Sequence, residues 1–333
     1  MLIRRYGSWG IVLAAIVLAG PVSPPAGEVV RFLSQPAKLP TPGAVSVIDG
    51  QHVWVGLTYT EDGGSSWVAR CPPAASVADL GLGLPCGMAN TFFVTAKRGW
   101  LTGTRSVWMT DDGGLTWRSQ VPGHIHTMAF VGDSGWLAAG DGHSVQNYRT
   151  EDLGQTWNQC GSSWELSRVA PWSSASFLDA RNGWITVGSY NDRELPYLGG
   201  VARTMDGGCT WKILWRDSDD PGENMGDIRF VDNSFGWLFT YYGRLLETRD
   251  GGTHWSPVAL PEPDFLQSAY LVSRSRGWII EGTNEGPVLH YTTDAGAHWH
   301  SVSNEDIRAN RGMAREIPVA WGQALLLSFQ LRR

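Results

Sequence analysis

Six aspartates, Asp62, Asp112, Asp152, Asp206, Asp250 and Asp294, recur at intervals of 50, 40, 54, 44 and 44 residues. Each holds the third place of an eight-residue pattern, Thr-x-Asp-x-Gly-x-(Ser/Thr/His)-Trp. A carboxylate repeated in such surroundings has two chemistries open to it. Calcium ligation needs several carboxylates converging on one ion. Bracing a turn needs only the backbone N–H groups that follow the aspartate in its own loop. Copies some 44 residues apart do not converge, so the spacing predicts six braced turns. Glycine at the fifth place supplies a positive φ, and the closing tryptophan packs between sheets.

Other groups that could do chemistry are scattered. His124 and His126 alternate onto one side of an expected strand, and Asp141 and His143 follow. Four such residues within one flat unit converge poorly, and the reading is of ordinary histidines with no metal. Asp217, Asp219, Asp220 and Glu223 form an acidic loop around Pro221-Gly222; without the spacing of an EF-hand they read as a solvated face. No Gly-rich phosphate loop and no GxSxG elbow is present, and no cofactor is implied. Four cysteines in an exported chain read as disulfides. Cys71 and Cys86 bracket one loop and are the first pair; Cys160 and Cys209 are a second candidate pair across neighbouring repeats, or buried thiols.

The elements that carry these residues repeat with them. Ahead of each aspartate pattern stands an apolar strand, a turn and Gly-Trp, as in Phe92 to Trp100, Phe130 to Trp136, Phe177 to Trp184, Phe230 to Trp237 and Tyr270 to Trp278, with Val47 to Trp54 a weaker sixth. Four short strands per unit result, separated by Gly and Asp/Asn turns, which is a propeller blade. Twelve of the 18 tryptophans fall at the two landmarks and are assigned to the core. The fold expected is all-β, one β-propeller of four-stranded blades. Seven blades are favoured, the last built from Glu28 to Leu33 and the apolar stretch between Arg315 and Leu331, with six the alternative.

Residues 1–27 stand apart: Arg4 and Arg5 precede an apolar run from Trp9 to Gly20, then prolines. At about 12 residues the run is shorter than a membrane-spanning helix. It reads as a signal peptide or an uncleaved N-terminal anchor, and the protein as exported, to the extracellular space, periplasm or cell envelope. Pro21 stands where a lipoprotein would carry its acylated cysteine. The propeller is residues 28–333. A net charge of −6 with three lysines excludes the basic footprint of a nucleic-acid partner.

In a propeller the second-to-third-strand loops and the connections between blades leave at the end opposite the braced turns. Here they are long and irregular. Trp164, Arg168, Trp172, Tyr190, Arg193, Tyr197, Tyr241, Tyr242 and Arg244 lie in or near them, outside the periodic core positions. Their Trp/Tyr/Arg character matches that of interface anchors. Padding of blade edges is the competing reading.

The six boxes preceded by Gly-Trp units resemble the BNR (Asp-box) repeat proteins, with a closer likeness to the photosystem II stability/assembly factor family over roughly residues 44–300. That resemblance implies a non-enzymatic, monomeric scaffold docking through one face onto a protein, including a membrane-associated one. Sialidases and other glycosidases share the box, so glycan binding or hydrolysis is the alternative. The sialidase pattern implies an arginine triad and an Arg-Ile-Pro segment before the first box. Only Arg31 lies in residues 28–59, and Arg315-Glu316-Ile317-Pro318 is at the wrong end with a glutamate inserted.

Overall fold

A computed structural model describes residues 10–16, 45–49, 51–62, 66–70, 91–102, 106–140, 145–161, 169–189, 199–217, 225–240, 243–261, 266–283, 286–302 and 325–331. These residues form six four-stranded sheets, at residues 45–69, 91–122, 124–160, 169–216, 225–257 and 266–302, numbered here as blades one to six. Each blade is an antiparallel meander whose strands lie in chain order. The first strands of successive blades touch one another, in blades one and two and along blades three to six, and are therefore the inner ones.

Among the described residues the four-stranded blades number six, the second of the two counts the sequence allowed. Two further strands, distant in sequence, pair in a two-stranded ladder. Gly10–Ile16 pairs antiparallel with Leu325–Leu331 beside the third strand of blade six. Glu28 to Leu33 lies outside the described residues. Among those residues no helix is long and apolar enough to cross a membrane.

The blades are joined by a repeated trio of rings. Trp54 and the tryptophans of four Gly-Trp pairs, Trp100, Trp136, Trp184 and Trp237, are each no more than 2% exposed. The ring of one blade meets the phenylalanine that ends the inner strand of the next: Trp54 stacks on Phe93 at 3.7 Å, Trp100 on Phe130 at 4.9 Å and Trp184 on Phe230 at 3.8 Å. The box tryptophan of that next blade then stands edge-on to the same phenylalanine, with interplanar angles of 70° to 84° in the pairs of Phe93, Phe130, Phe177 and Phe230. Stacked and edge-on pairs both suit the quadrupole of an aromatic ring. Blade six departs from the rule: Leu271 replaces the phenylalanine, and Trp237 packs with Trp299.

The trio also explains the glycine of the Gly-Trp pairs, a place that Val53 takes before Trp54. A Cβ on Gly99 would come within 2.3 Å of the Phe93 ring, and one on Gly183 within 2.6 Å of Phe177. The landmark is therefore a packing requirement of the neighbouring ring. A covalent link reinforces one junction. Cys160, ending the outer strand of blade three, is disulfide-bonded to Cys209 in the box of blade four, 49 residues on. Cys71 and Cys86 lie outside the described residues.

Candidate functional site

The braced end is built identically around most of the ring. In blade two the Thr110 hydroxyl donates to Asp112 Oδ1 at 2.8 Å and accepts the Gly114 N–H at 2.9 Å. The Thr116 N–H and hydroxyl donate to the two oxygens of Asp112, at 2.9 and 2.6 Å. The fourth residue of the box then reaches across the blade: Gly113 N–H donates to the Lys97 carbonyl, Gly207 to Arg181 and Gly251 to Ser234. So box and first turn form one unit. The fourth residue is left-handed as well as the fifth, with φ of 75° and 81° at Gly113 and Gly114. Blades three and six place Leu153 and Ala295 there, at φ 54° and 63°.

These contacts hold the carboxylates ionised. Burial opposes ionisation of Asp152, but hydrogen bonds from the Thr156 hydroxyl and N–H and from Thr150 outweigh it and bring the pKa to about 2. Asp250 lies at about 2 for the same reasons, with His254 in the seventh place. At Asp294 the His298 ring and N–H are the leading cause, again giving about 2. The aspartates are thus held by donors of their own boxes, and the boxes by the neighbouring turn.

Of the candidate binding residues, Arg244 is described with its side chain, at the end opposite the boxes. The best described part of that end spans blades four and five. Thr240, fully buried, opens the loop to the third strand of blade five; its N–H donates to the Arg244 carbonyl at 2.9 Å and its hydroxyl accepts the Arg244 N–H at 3.0 Å. Gly243 closes this loop at φ 87°. Tyr241 and Tyr242, within it, are outside the described residues. The Arg244 guanidinium donates to Asp217 Oδ2, and Asp217 N–H donates to the Gly199 carbonyl at 2.9 Å. Asp217 is thus the hub of three candidate segments. It anchors the end of the 190–198 loop, the start of the 218–224 connection and the base of the Tyr241–Tyr242 loop.

That position corrects the reading of Asp217 as part of a solvated acidic face: it is 1% exposed and paired with an arginine. Charge pairing across 27 residues leaves no local signal in a sequence, which is why the pair was missed. Asp219, Asp220 and Glu223 lie outside the described residues, as do Trp164, Arg168, Tyr190, Arg193 and Tyr197. Trp172 is described only as backbone within Val169–Phe177. The alternation expected of His124 and His126 is interrupted, because the ladder slips between Ile125 and Thr127 and His126 occupies a bulge. Asp141 and His143 are outside the described residues, and among those described no three metal-ligating side chains cluster.

On the inner strand of blade five, Asp227 is exposed, although many atoms surround its carboxyl. Burial raises its carboxyl, against a hydrogen bond from Ser174 of blade four. Two residues on, the Arg229 guanidinium lies 5.1 Å over the Tyr270 ring of blade six. Burial raises the Tyr270 hydroxyl, and Arg229 opposes it.

A solved structure of YCF48 bound to D1 peptide superposes with a TM-score of 0.55 over 94% of this chain and 98% of that one, at 16% identity. A sequence model described as Photosynthesis system II assembly factor YCF48 matches residues 210–307. The chain is a Ycf48-like β-propeller. Its curated relatives agree. Photosystem II stability/assembly factor HCF136 of Arabidopsis thaliana is 35% identical over 115 residues, 32% of this chain and 28% of that protein. Photosystem II assembly protein Ycf48 of Synechococcus sp. (strain JA-2-3B'a(2-13)) is 34% identical over 96 residues, 27% of this chain and 28% of its own length. Each alignment therefore spans under a third of the curated relative. The Ycf48 family model falls across the end of blade four and blades five and six, which contain the Asp217–Arg244 hub.

Proposed function

We propose that this protein is an exported scaffold that binds a protein partner, without catalysing a reaction on it, through the end of the propeller opposite the Asp-box turns. The carrying observation is the contrast between the two ends. At one, hydrogen bonds within the boxes hold the aspartates; at the other, Asp217 holds Arg244 and links residues that border three connections. Prepositioned segments lose less conformational freedom on docking. The likeness to Ycf48 proteins, one of which is solved with a D1 peptide, supports a polypeptide as the ligand, in keeping with a membrane-associated protein. Glycan binding is the outcome that would displace this reading.

Capture from native envelope with the purified chain, followed by mass spectrometry, tests it. Tyr190→Ala combined with Arg193→Ala should weaken capture roughly tenfold or more, as loss of an interface anchor does, with the melting temperature unchanged. Capture of glycans alone, or undiminished capture by the double variant, would overturn the assignment of this surface.

A further inference from the structure

Blade six contains a polar constellation that the scaffold reading does not use. Glu281, fully buried on the second strand, has Oε2 3.0 Å from Nε2 of His290 on the third. Nδ1 of the same ring, 5% exposed, is 3.0 Å from the Ser301 hydroxyl on the outer strand. Ser301 is exposed. The register accounts for the alignment: His290 faces Ser301 across one ladder and Ile279 across the other, so the three polar residues lie on the face that carries Ile279. In the tautomer that carries its proton on Nε2, facing the Glu281 carboxyl, Nδ1 is left to accept from the serine.

We infer that Ser301, His290 and Glu281 form a hydrolytic relay in which Ser301 is a nucleophile toward small carboxylic esters. A hydroxyl is a weak nucleophile until an adjacent base takes its proton and a third group orients that base. Here the base and the orienting acid are buried while the hydroxyl is open to solvent. The Ser301 oxygen bonds to the acyl carbon as its proton passes to His290 Nδ1. That proton then leaves on the departing alcohol as the ester C–O bond breaks. Water, giving a proton to the same nitrogen, attacks the acyl-serine; the carboxylic acid is released and the proton returns to Ser301. Glu281 takes no part in the proton transfer and acts as a positioning residue.

The substrate class follows from the surroundings. Ile279 belongs to a cluster against which Trp299, Val258 and Leu260, all partly buried, are packed, an apolar shelf between the outer parts of blades five and six. A short acyl chain fits that chemistry. The outer strand is the edge of its sheet, and the outward backbone N–H groups of an edge strand are donors of the kind an oxyanion uses.

The test treats the full chain with a fluorophosphonate and maps the adduct by peptide mass spectrometry, alongside hydrolysis of p-nitrophenyl acetate and butyrate. An adduct on Ser301, absent in Ser301→Ala, is expected, with ester hydrolysis lost in the same variant. His290→Gln should slow labelling about a hundredfold, the usual contribution of a general base; Glu281→Gln should slow it less and change its pH profile. Circular dichroism of each variant checks the fold. If His290→Gln does not fold, the pH dependence of labelling in the native protein replaces it, and must show one titrating base. Absence of an adduct at Ser301, or labelling indifferent to pH and to His290, overturns the relay. None of these outcomes bears on partner capture at the loop end.

Discussion

Consecutive left-handed residues set the cost of single changes in the boxes. At Gly113 a Cβ would find its nearest atom, the Ala96 carbonyl oxygen, 3.4 Å away, whereas at Gly207 the Ala180 carbonyl oxygen would be 2.6 Å away. Both have φ near 76°. Gly113→Ala should therefore cost only the backbone strain of a left-handed alanine, about 1–2 kcal/mol. Gly207→Ala adds a clash with a fixed backbone and should cost clearly more. Urea denaturation of the two variants measures the difference, and equal losses would refute the steric half of the account. Leu153 and Ala295 show that the backbone strain alone is tolerated. The fifth-place glycine was legible from the repeat; the fourth was not, because two of the six boxes carry a side chain there and mask the requirement.

Among the elements, each blade depends on its neighbour through the tryptophan that precedes its own strand pairing. Trp184 of blade four stacks on Phe230 of blade five, and its Nε1–H donates to the Gly251 carbonyl at 2.8 Å. Trp184→Ala should cost about 3–5 kcal/mol, as deletion of a buried aromatic does. Trp184→Phe should restore the stacking but orphan the buried carbonyl, leaving a deficit of about 1–3 kcal/mol. Differential scanning calorimetry would show whether the two losses are ordered in this way; a phenylalanine variant as weak as alanine would mean that the hydrogen bond dominates. Blade architecture could be read from the sequence because Gly-Trp and the box each recur at fixed places within a unit. The partner of each ring could not, since Phe230 and Trp184 belong to different repeats and nothing in either repeat names its neighbour. The same limit hid Asp217–Arg244 and Ser301–His290–Glu281, which are pairings across strands or blades, while the candidates that composition did pick out sit mostly in loops outside the described residues.

On the scale of the whole molecule, the braced end makes stability depend on pH in one direction. Asp49, Asp112, Asp152, Asp179, Asp206, Asp232, Asp250 and Asp294 all have folded pKa values below the usual 3.8. A carboxylate depressed on folding stabilises the native state fully above its unfolded pKa, and that contribution fades as pH falls through the folded value. The urea midpoint should therefore change little on these groups' account between pH 7 and about 5 and drop steeply from about 4 toward 2. Asp227 has the opposite sign. Its folded pKa is raised, so ionising it at neutral pH opposes folding, and Asp227→Asn should stabilise the protein at pH 7 with the advantage shrinking below about 4, where the unfolded carboxyl is also protonated. Asp152→Asn should do the reverse, lowering the midpoint at pH 7 while flattening the acid limb, because one depressed carboxylate no longer titrates. Midpoints for the native chain and both variants from pH 2 to 7 decide the matter. Parallel acid limbs in all three would mean that the turn carboxylates do not govern acid unfolding of the ring.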